Sequence, residues 1–252
     1  MHKHSTPTAR GLRARSALAL PLTLSLALTG CGSDDPAPAA ATSRTAALVA
    51  SAPAMTVAED QYATAIHHIY IAYFGRPAEP PGLAFWNRQF EVARAATDTA
   101  ELWRQYRANG GVRYVLHSFS VSTESQELYP GGNAQFVEGV YRTLFNRSPD
   151  VGGHAWWTDA IDRGIITREE AALAIMVGAQ GEDALVVRNK VAVSAVFYRI
   201  LCEREAWILA YTGARNNELA RRMLAQVDAK TDLAAFEAVV RATIEEISRS
   251  PF

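Results

Sequence analysis

Cysteine is scarce in this chain of 252 residues, which has only Cys31 and Cys202. Two cysteines cannot form the disulfide framework that holds small exported domains together, so an apolar core must stabilise the fold. Alternating apolar and polar residues, the pattern of a half-buried strand, are also missing over any useful length. Their absence disfavours a fold built on a sheet. Cys202 lies in the apolar helical pattern of residues 196–204, which predicts a small buried side chain rather than a reactive thiol.

Motifs for catalysis or cofactor binding are lacking as well. After residue 30 the histidines are His67, His68, His117 and His154, and none has the i, i+4 spacing with a glutamate that a zinc-protease helix requires. The adjacent His67 and His68 point to different faces of a helix, which disfavours shared metal ligation. The sequence also has no Gly-x-Ser-x-Gly elbow, no glycine-rich phosphate loop and no calcium loop. We therefore expect no cofactor and no metal site.

The N-terminus has the composition of an export signal. Residues 1–16 contain four basic residues and no acidic one, and an apolar run follows at 17–28. That run is too short to span a bilayer as a permanent helix, since a span takes about 20 residues. The next residues, Leu28-Thr29-Gly30-Cys31, resemble the lipobox of bacterial lipoproteins. The resemblance implies a signal peptide at 1–30 and acylation of Cys31, with palmitate-type chains that tether the protein to a membrane.

The predicted lipid anchor sets expectations for location and partners. Two or more acyl chains give stable anchoring, at about 0.8 kcal/mol per buried methylene. Gly32 and Ser33 follow the cysteine, where an aspartate would resemble inner-membrane lipoproteins, so we expect the outer membrane. The alternative is an ordinary secretory signal cut near the alanines at 39–41. Removing the four basic residues before Cys31 leaves 21 against 26 acidic ones, a net charge near −5, which disfavours nucleic acid as a partner.

Apolar spacing predicts an all-α fold, a repeat or bundle of about eight helices behind a flexible linker. The linker, residues 31–55, is rich in Ala, Ser and Pro and has no apolar period. Two capping boxes, Thr56–Glu59 and Thr167–Glu170, predict helix starts. Apolar residues three and four apart predict other helices at about 134–145, 184–211, 215–228 and 232–248.

One phrase occurs twice in the chain, 71 residues apart. The shared positions are Arg76 and Arg147, Glu79 and Asp150, Gly82 and Gly153, and Trp86 and Trp157. The phrase predicts a corner in which the arginine ends one helix, a proline stops it, and the acidic residue caps the next. The glycine permits close approach, the tryptophan packs back on the first helix, and the arginine pairs with an acid or a helix-end carbonyl. We expect two degenerate repeats within 56–212, at about 60–130 and 131–212, and a C-terminal helical hairpin at 213–252.

The second copy carries a resemblance to a known family. Phe-Asn-Arg-Ser-Pro-Asp at 145–150, followed by Gly153 and Trp156-Trp157, resembles the bacterial domain-of-unknown-function 4214 family. The phrases at 119–129 and 189–198 are similar to later segments of that family. The resemblance implies helical repeats of exported or cell-surface proteins, and it implies no reaction because the family has no assigned chemistry.

The likeness covers roughly residues 60–205, with departures. In the first copy, an insert at about 91–118 separates Trp86 from Phe119. In the second copy, Ala179 and Gly181 stand where the family has Ser and Glu, as in Ser122 and Glu124 of the first copy.

The sequence favours a non-catalytic role in envelope or surface interactions. Trp157 takes the core-facing position of the repeat, and Trp156 points about 100° away on the same helix, which makes Trp156 a candidate for binding an envelope protein or a polysaccharide. The alternative is a murein-cleaving enzyme similar to lytic transglycosylases, in which Glu124 before Ser125 would be the general acid. Such a glutamate must be partly desolvated so that it can carry a proton near neutral pH.

Overall fold

The computed structural model of the protein describes residues 61–249. The predicted signal peptide, Cys31, the linker and the capping box at Thr56–Glu59 lie outside the described residues. All residues that the structure describes belong to one compact unit. Among them, no helix combines the length and the apolar character that crossing a membrane requires.

Between residues 61 and 249 the chain forms twelve α-helices and no strand, so the predicted all-α class is confirmed. The helices are α1 (Ala63–Phe74), α2 (Pro80–Val92), α3 (Thr99–Ala108), α4 (Gly110–Ser120), α5 (Thr123–Leu128), α6 (Asn133–Phe145), α7 (Val151–Asp162), α8 (Arg168–Val177), α9 (Gly181–Leu201), α10 (Glu205–Ala210), α11 (Gly213–Leu224) and α12 (Leu233–Ser248). Their number exceeds the eight expected, chiefly because residues 99–128 form three helices that were not assigned from the apolar pattern.

Short polar side chains fix several helix starts. Asp98 and Asn109 accept hydrogen bonds from backbone N–H groups in the first turns of α3 and α4. Thr167 likewise accepts from the N–H of Glu170 at 3.2 Å, which confirms the predicted start of α8. These caps satisfy N–H groups that have no partner inside their own helix. The other half of the predicted capping box does not form, because the carboxylate of Glu170 is bound by Arg107 instead.

Helix α1 lies at the centre of the core. Nine of its twelve residues are buried, and it contacts α2, α5, α6, α8 and α9. A helix that is apolar around most of its circumference belongs in the interior of a protein. One hydrophobic cluster extends from Tyr62 to Ile247, so both copies of the repeated phrase and the C-terminal helices share a single core.

The predicted long helix at 184–211 is wrong as a single helix. Helix α9 ends at Leu201 and α10 begins at Glu205. Trp207 of α10 is buried, and the guanidinium of Arg204, in the turn before that helix, lies 4.5 Å from the centre of the Trp207 ring. Cys202 is exposed, so its predicted burial is also wrong. It occupies the turn that ends α9 and not the apolar face of a continuing helix.

Candidate functional site

The first corner is organised around the buried side chain of Arg76. The residue before it, Gly75, ends α1 in the left-handed conformation with φ 66°. The Arg76 guanidinium donates to both carboxylate oxygens of Glu124, at 2.7 and 2.9 Å, and to Glu79 at 2.6 Å. It also lies 5.3 Å from the centre of the Tyr70 ring. Bidentate pairing together with contact on an aromatic face compensates for taking a charged group out of water.

Glu124 joins this corner to the C-terminal helices. Besides Arg76, its Oε1 accepts from Arg221 at 2.6 Å and from Asn217 at 3.2 Å. Arg221 also donates to the carbonyl of Phe74 at the end of α1, at 2.8 Å. Glu124 is therefore the acceptor at the centre of a network that links α1, α5 and α11.

The second corner repeats the first at the surface. Asn146 ends α6 in the left-handed conformation with φ 58°. Arg147 donates to both oxygens of Asp183, at 2.9 and 2.6 Å, and lies 5.4 Å from the centre of the Tyr141 ring. The Arg147 side chain is 45% exposed, whereas that of Arg76 is 7% exposed. The two arginines thus make equivalent contacts in different environments.

The acidic residues of the phrase differ between the corners. Asp150 caps α7 by accepting from the N–H of Gly153 at 2.8 Å, and this hydrogen bond lowers the pKa of its carboxyl group. Glu79 makes no side-chain cap on α2, so the capping role predicted for it is wrong. Its carboxylate is held instead by Arg76 and by the Tyr70 hydroxyl at 3.1 Å. Helix α2 also opens with two prolines, which lack N–H groups that a cap would satisfy.

The glycines of the phrase face the same neighbours at unequal distances. A Cβ atom added at Gly82 would overlap the Tyr70 hydroxyl and the Glu79 carboxylate. At Gly153 the nearest atoms would be Asp150 Oδ2 at 3.1 Å and the Tyr141 hydroxyl at 3.5 Å. The first corner therefore needs its glycine for close approach more strictly than the second.

Each corner carries a pair of adjacent aromatic residues. Trp86 packs on Phe119 with ring centres 4.1 Å apart and an angle of 30° between the planes. The residue before it, Phe85, meets Trp86 edge to face at 4.9 Å and 80°. In the second copy, Trp156 meets Trp157 in the same way at 4.5 Å and 84°. In both pairs the second ring packs against the core and the first is exposed, 46% for Phe85 and 61% for Trp156.

A groove of about 750 Å³ opens beside Trp156. Helix α3 supplies one wall through Trp103, which is 37% exposed. Helices α7 and α8 and the turn between them supply the rest, including Trp157 and the exposed Ile165. Three indole rings therefore face one concave surface. We refer to this surface, lined by Trp103, Trp156, Trp157 and the residues around Ile165, as the tryptophan groove.

A charged pair holds the two walls of the tryptophan groove together. Arg107 of α3 donates to both oxygens of Glu170 in α8, at 2.6 and 3.2 Å, and to the carbonyl of Ile165 at 3.0 Å. Glu170 is buried. The sequence prediction named neither Arg107 nor Glu170 as a site residue. No sequence signal marked this pair, because Glu170 stands in the first turn of α8 beside Arg168 and Glu169, where an acidic residue is usual whether or not it is buried.

The histidines do not converge. Among residues 61–249, no three His, Cys, Asp or Glu side chains form a group that could hold a metal ion. His67 is buried, and burial lowers its pKa to about 4, while His68 contacts the carbonyl of Thr64. His117 faces Glu169 at 3.4 Å, and His154 faces the carbonyl of Ala134.

The family comparison covers the second corner. Residues 116–180 match the family model described as Domain of unknown function (DUF4214). This match supports that domain type for a stretch that begins within α4, ends just before α9 and contains Arg147, Trp156 and Trp157. The corner at Arg76 and helix α3 lie outside it. No curated protein and no solved structure matches the chain.

Proposed function

We propose that the protein is a lipid-anchored component of the bacterial cell envelope, located at the outer membrane, that binds a partner through the tryptophan groove without catalysing a reaction. The observation that carries the proposal is the convergence of Trp103, Trp156 and Trp157 on one concave surface. Its volume of about 750 Å³ lies within the range of roughly 300–1,000 Å³ typical of ligand sites.

The exposure of the indole rings supports binding. An apolar surface that stays in contact with water costs free energy, and burial of the indole rings against a ligand would remove that cost. Trp156 is 61% exposed, whereas the adjacent Trp157 packs against the core. Buried tryptophans are also the residues that most often dominate the energy of an interface.

The environment of Glu124 supports the non-catalytic part of the proposal. A general acid must hold a proton and present it to a substrate. Glu124 instead accepts hydrogen bonds from Arg76, Arg221 and Asn217, and these link helices of the core. A digestion assay on purified murein tests this point: we expect no cleavage by the protein, and cleavage that Glu124→Gln abolishes would contradict the proposal.

The anchor is tested by labelling cells with radioactive palmitate. The sequence Leu28-Thr29-Gly30-Cys31 supports acylation at Cys31. We expect label in the parent protein and in a Cys202→Ala control, and none in Cys31→Ala. Label in the outer-membrane fraction is expected, whereas labelling that persists in Cys31→Ala would refute the anchor.

The groove is tested by site-specific photocrosslinking in intact cells. A photoreactive phenylalanine analogue at position 165 lies at the groove, and the same analogue at position 151 provides a control at a more exposed site on α7 outside it. We expect light-dependent adducts from position 165 that Trp156→Ala removes, and none from position 151. Equal adduct formation at both positions, or none at 165, would show that the groove has no partner.

A further inference from the structure

We infer that the ligand of the tryptophan groove is an uncharged polysaccharide chain. This inference rests on the proposed function and names the chemical class of its ligand. The charged residues that line the groove are Arg104, Arg107 and Glu170. Arg107 is paired with Glu170, and Arg104 with Glu101. No lining residue therefore offers an unpaired charge to a ligand.

The net charge of the chain argues in the same direction. Counted from Cys31, acidic residues exceed basic ones by about five. A negatively charged protein repels a polyanionic chain. Arg104 and Arg107 are exposed but already paired with Glu101 and Glu170, so an anionic chain would have to share them with those carboxylates. An uncharged ligand avoids both the repulsion and this competition.

The groove also presents free hydrogen-bond donors. Within the part of the chain that the structure describes, the indole N–H groups of Trp103, Trp156 and Trp157 donate no hydrogen bond to the protein, and none of the three is a buried donor without a partner. Indole is a donor only, and the carboxylate of Glu170 already accepts from Arg107. The groove thus offers donors and few free acceptors.

A polysaccharide matches these two properties together. A pyranose ring has flat faces of C–H groups, which pack on indole rings, and hydroxyl and ether oxygens around its edge, which accept hydrogen bonds from indole N–H groups. An extended peptide presents one backbone N–H donor for each carbonyl acceptor. A sugar chain presents more acceptors than donors, because each hydroxyl both donates and accepts whereas its ring and glycosidic oxygens only accept. The groove volume of about 750 Å³ has room for a short segment of a sugar chain.

The tryptophan groove has no counterpart at the first corner. Helix α3 belongs to the insert of the first copy, and it packs on α8 of the second copy. The equivalent aromatic pair at the first corner, Phe85 and Trp86, does not line the groove. We therefore expect one binding site per chain, and Phe85 provides a matched control for Trp156.

Titration calorimetry on the acylated full-length protein in detergent tests the inference. The probes are soluble hexasaccharides: uncharged cello-, malto- and N-acetylchito-hexaose, and anionic hexagalacturonate. We expect one uncharged hexasaccharide to bind with one site per chain and hexagalacturonate not to bind. Trp156→Ala and Trp103→Ala should weaken binding by about tenfold or more, and Phe85→Ala should leave it unchanged.

Several results would overturn the inference. These are failure of every uncharged hexasaccharide to bind, binding that survives Trp156→Ala, and preferential binding of hexagalacturonate. A protein adduct at position 165 in cells, combined with no binding of sugars, would reject the polysaccharide and leave the proposed groove function standing. Thermal unfolding of each variant separates lost binding from lost folding, and we expect little change for Trp156→Ala because its ring is mostly exposed.

Discussion

Arg147 and Asp183 form a bidentate pair across the second corner, as Arg76 and Glu124 do across the first. Asp183 lies 36 residues after Arg147, whereas Glu124 lies 48 residues after Arg76. Glu124 lies in the first turn of α5 and Asp183 in the first turn of α9, where the positive end of the helix dipole also favours an acidic side chain. A bidentate arginine–carboxylate pair therefore occurs at both corners, although its acidic residue lies at a different distance along the chain.

The unequal burial of the two arginines leads to a first prediction. Arg76→Met removes the guanidinium from a buried ion pair and should lower the free energy of unfolding by about 3 kcal/mol. This value is at the low end of the range for broken buried pairs, because Arg221 still contacts Glu124 in the variant. Arg147→Met removes a partly exposed pair and should cost about 1 kcal/mol or less. Urea unfolding of the two variants measures both values. Equal losses would mean that the burial of Arg76 contributes nothing.

The glycines lead to a second prediction. Gly82→Ala places a methyl group against the Tyr70 hydroxyl and the Glu79 carboxylate, so it should destabilise the protein by about 1–3 kcal/mol. Gly153→Ala has more space and should stay within about 1 kcal/mol of the parent, since alanine is also the better helix former.

Thermal unfolding checks this comparison, with Tyr70→Phe as the diagnostic partner. Removing the hydroxyl opens space beside residue 82, so the double variant Gly82→Ala/Tyr70→Phe should lose less stability than the sum of its single changes. Strict additivity would show that the hydroxyl is not the obstacle.

The helices best predicted from the sequence are those with a sustained apolar period. The expected ranges 134–145 and 232–248 differ by one residue from the observed Asn133–Phe145 and Leu233–Ser248, within the usual uncertainty of helix ends. The break between α9 and α10 was missed because no glycine or proline marks it. Trp207 is buried just after the break, and tertiary packing of this kind overrides local propensity.

The buried Lys190 leads to a third prediction, which concerns pH. Lys190 donates to the carbonyl of Thr143 and to the side-chain oxygen of Asn146, at 2.6 and 2.7 Å, and burial lowers its pKa to about 7. The unfolded lysine has a pKa near 10.4, so between these values the unfolded state binds one proton more than the native state. Stability should therefore rise from pH 7 to pH 10 by about 1.4 kcal/mol per pH unit from this group. Below pH 7 both states are protonated and this contribution to the slope disappears.

Urea unfolding at several pH values measures this slope in the parent and in two variants. Lys190→Met should remove the contribution from the slope, although it also loses two hydrogen bonds at every pH. Lys230→Met replaces an exposed lysine and should keep the slope of the parent. An unchanged slope in Lys190→Met would mean that the lysine stays protonated in the native state.

The corners and the groove differ in how far the sequence reveals them. The repeated phrase predicts the pairing of Arg76 with Glu79 and the cap made by Asp150, because both contacts lie within one turn between helices. It does not predict the partners Glu124 and Asp183, which lie 48 and 36 residues from their arginines. The tryptophan groove depends on α3, an element of the insert, and on a pair between Arg107 and Glu170 that are 63 residues apart. Local periodicity carries no information about such a contact, since it arises only when α3 packs on α8.

That pair gives the fourth prediction. Arg107→Met leaves the buried carboxylate of Glu170 without its cationic partner and should cost about 1–3 kcal/mol. Arg104→Met, on the same helix, removes a contact between two exposed side chains and should cost less than about 1 kcal/mol. The double variant Arg107→Met/Glu170→Met removes the buried charge as well, so it should recover much of the loss, because apolar replacement of a buried pair is often close to neutral.

Thermal unfolding measures the stability of all three variants, and hydrogen exchange in α3 reports whether that helix stays packed on α8. If the double variant is no more stable than Arg107→Met, the cost does not come from the unpaired carboxylate, and the apolar contacts of α3 alone hold the wall of the groove.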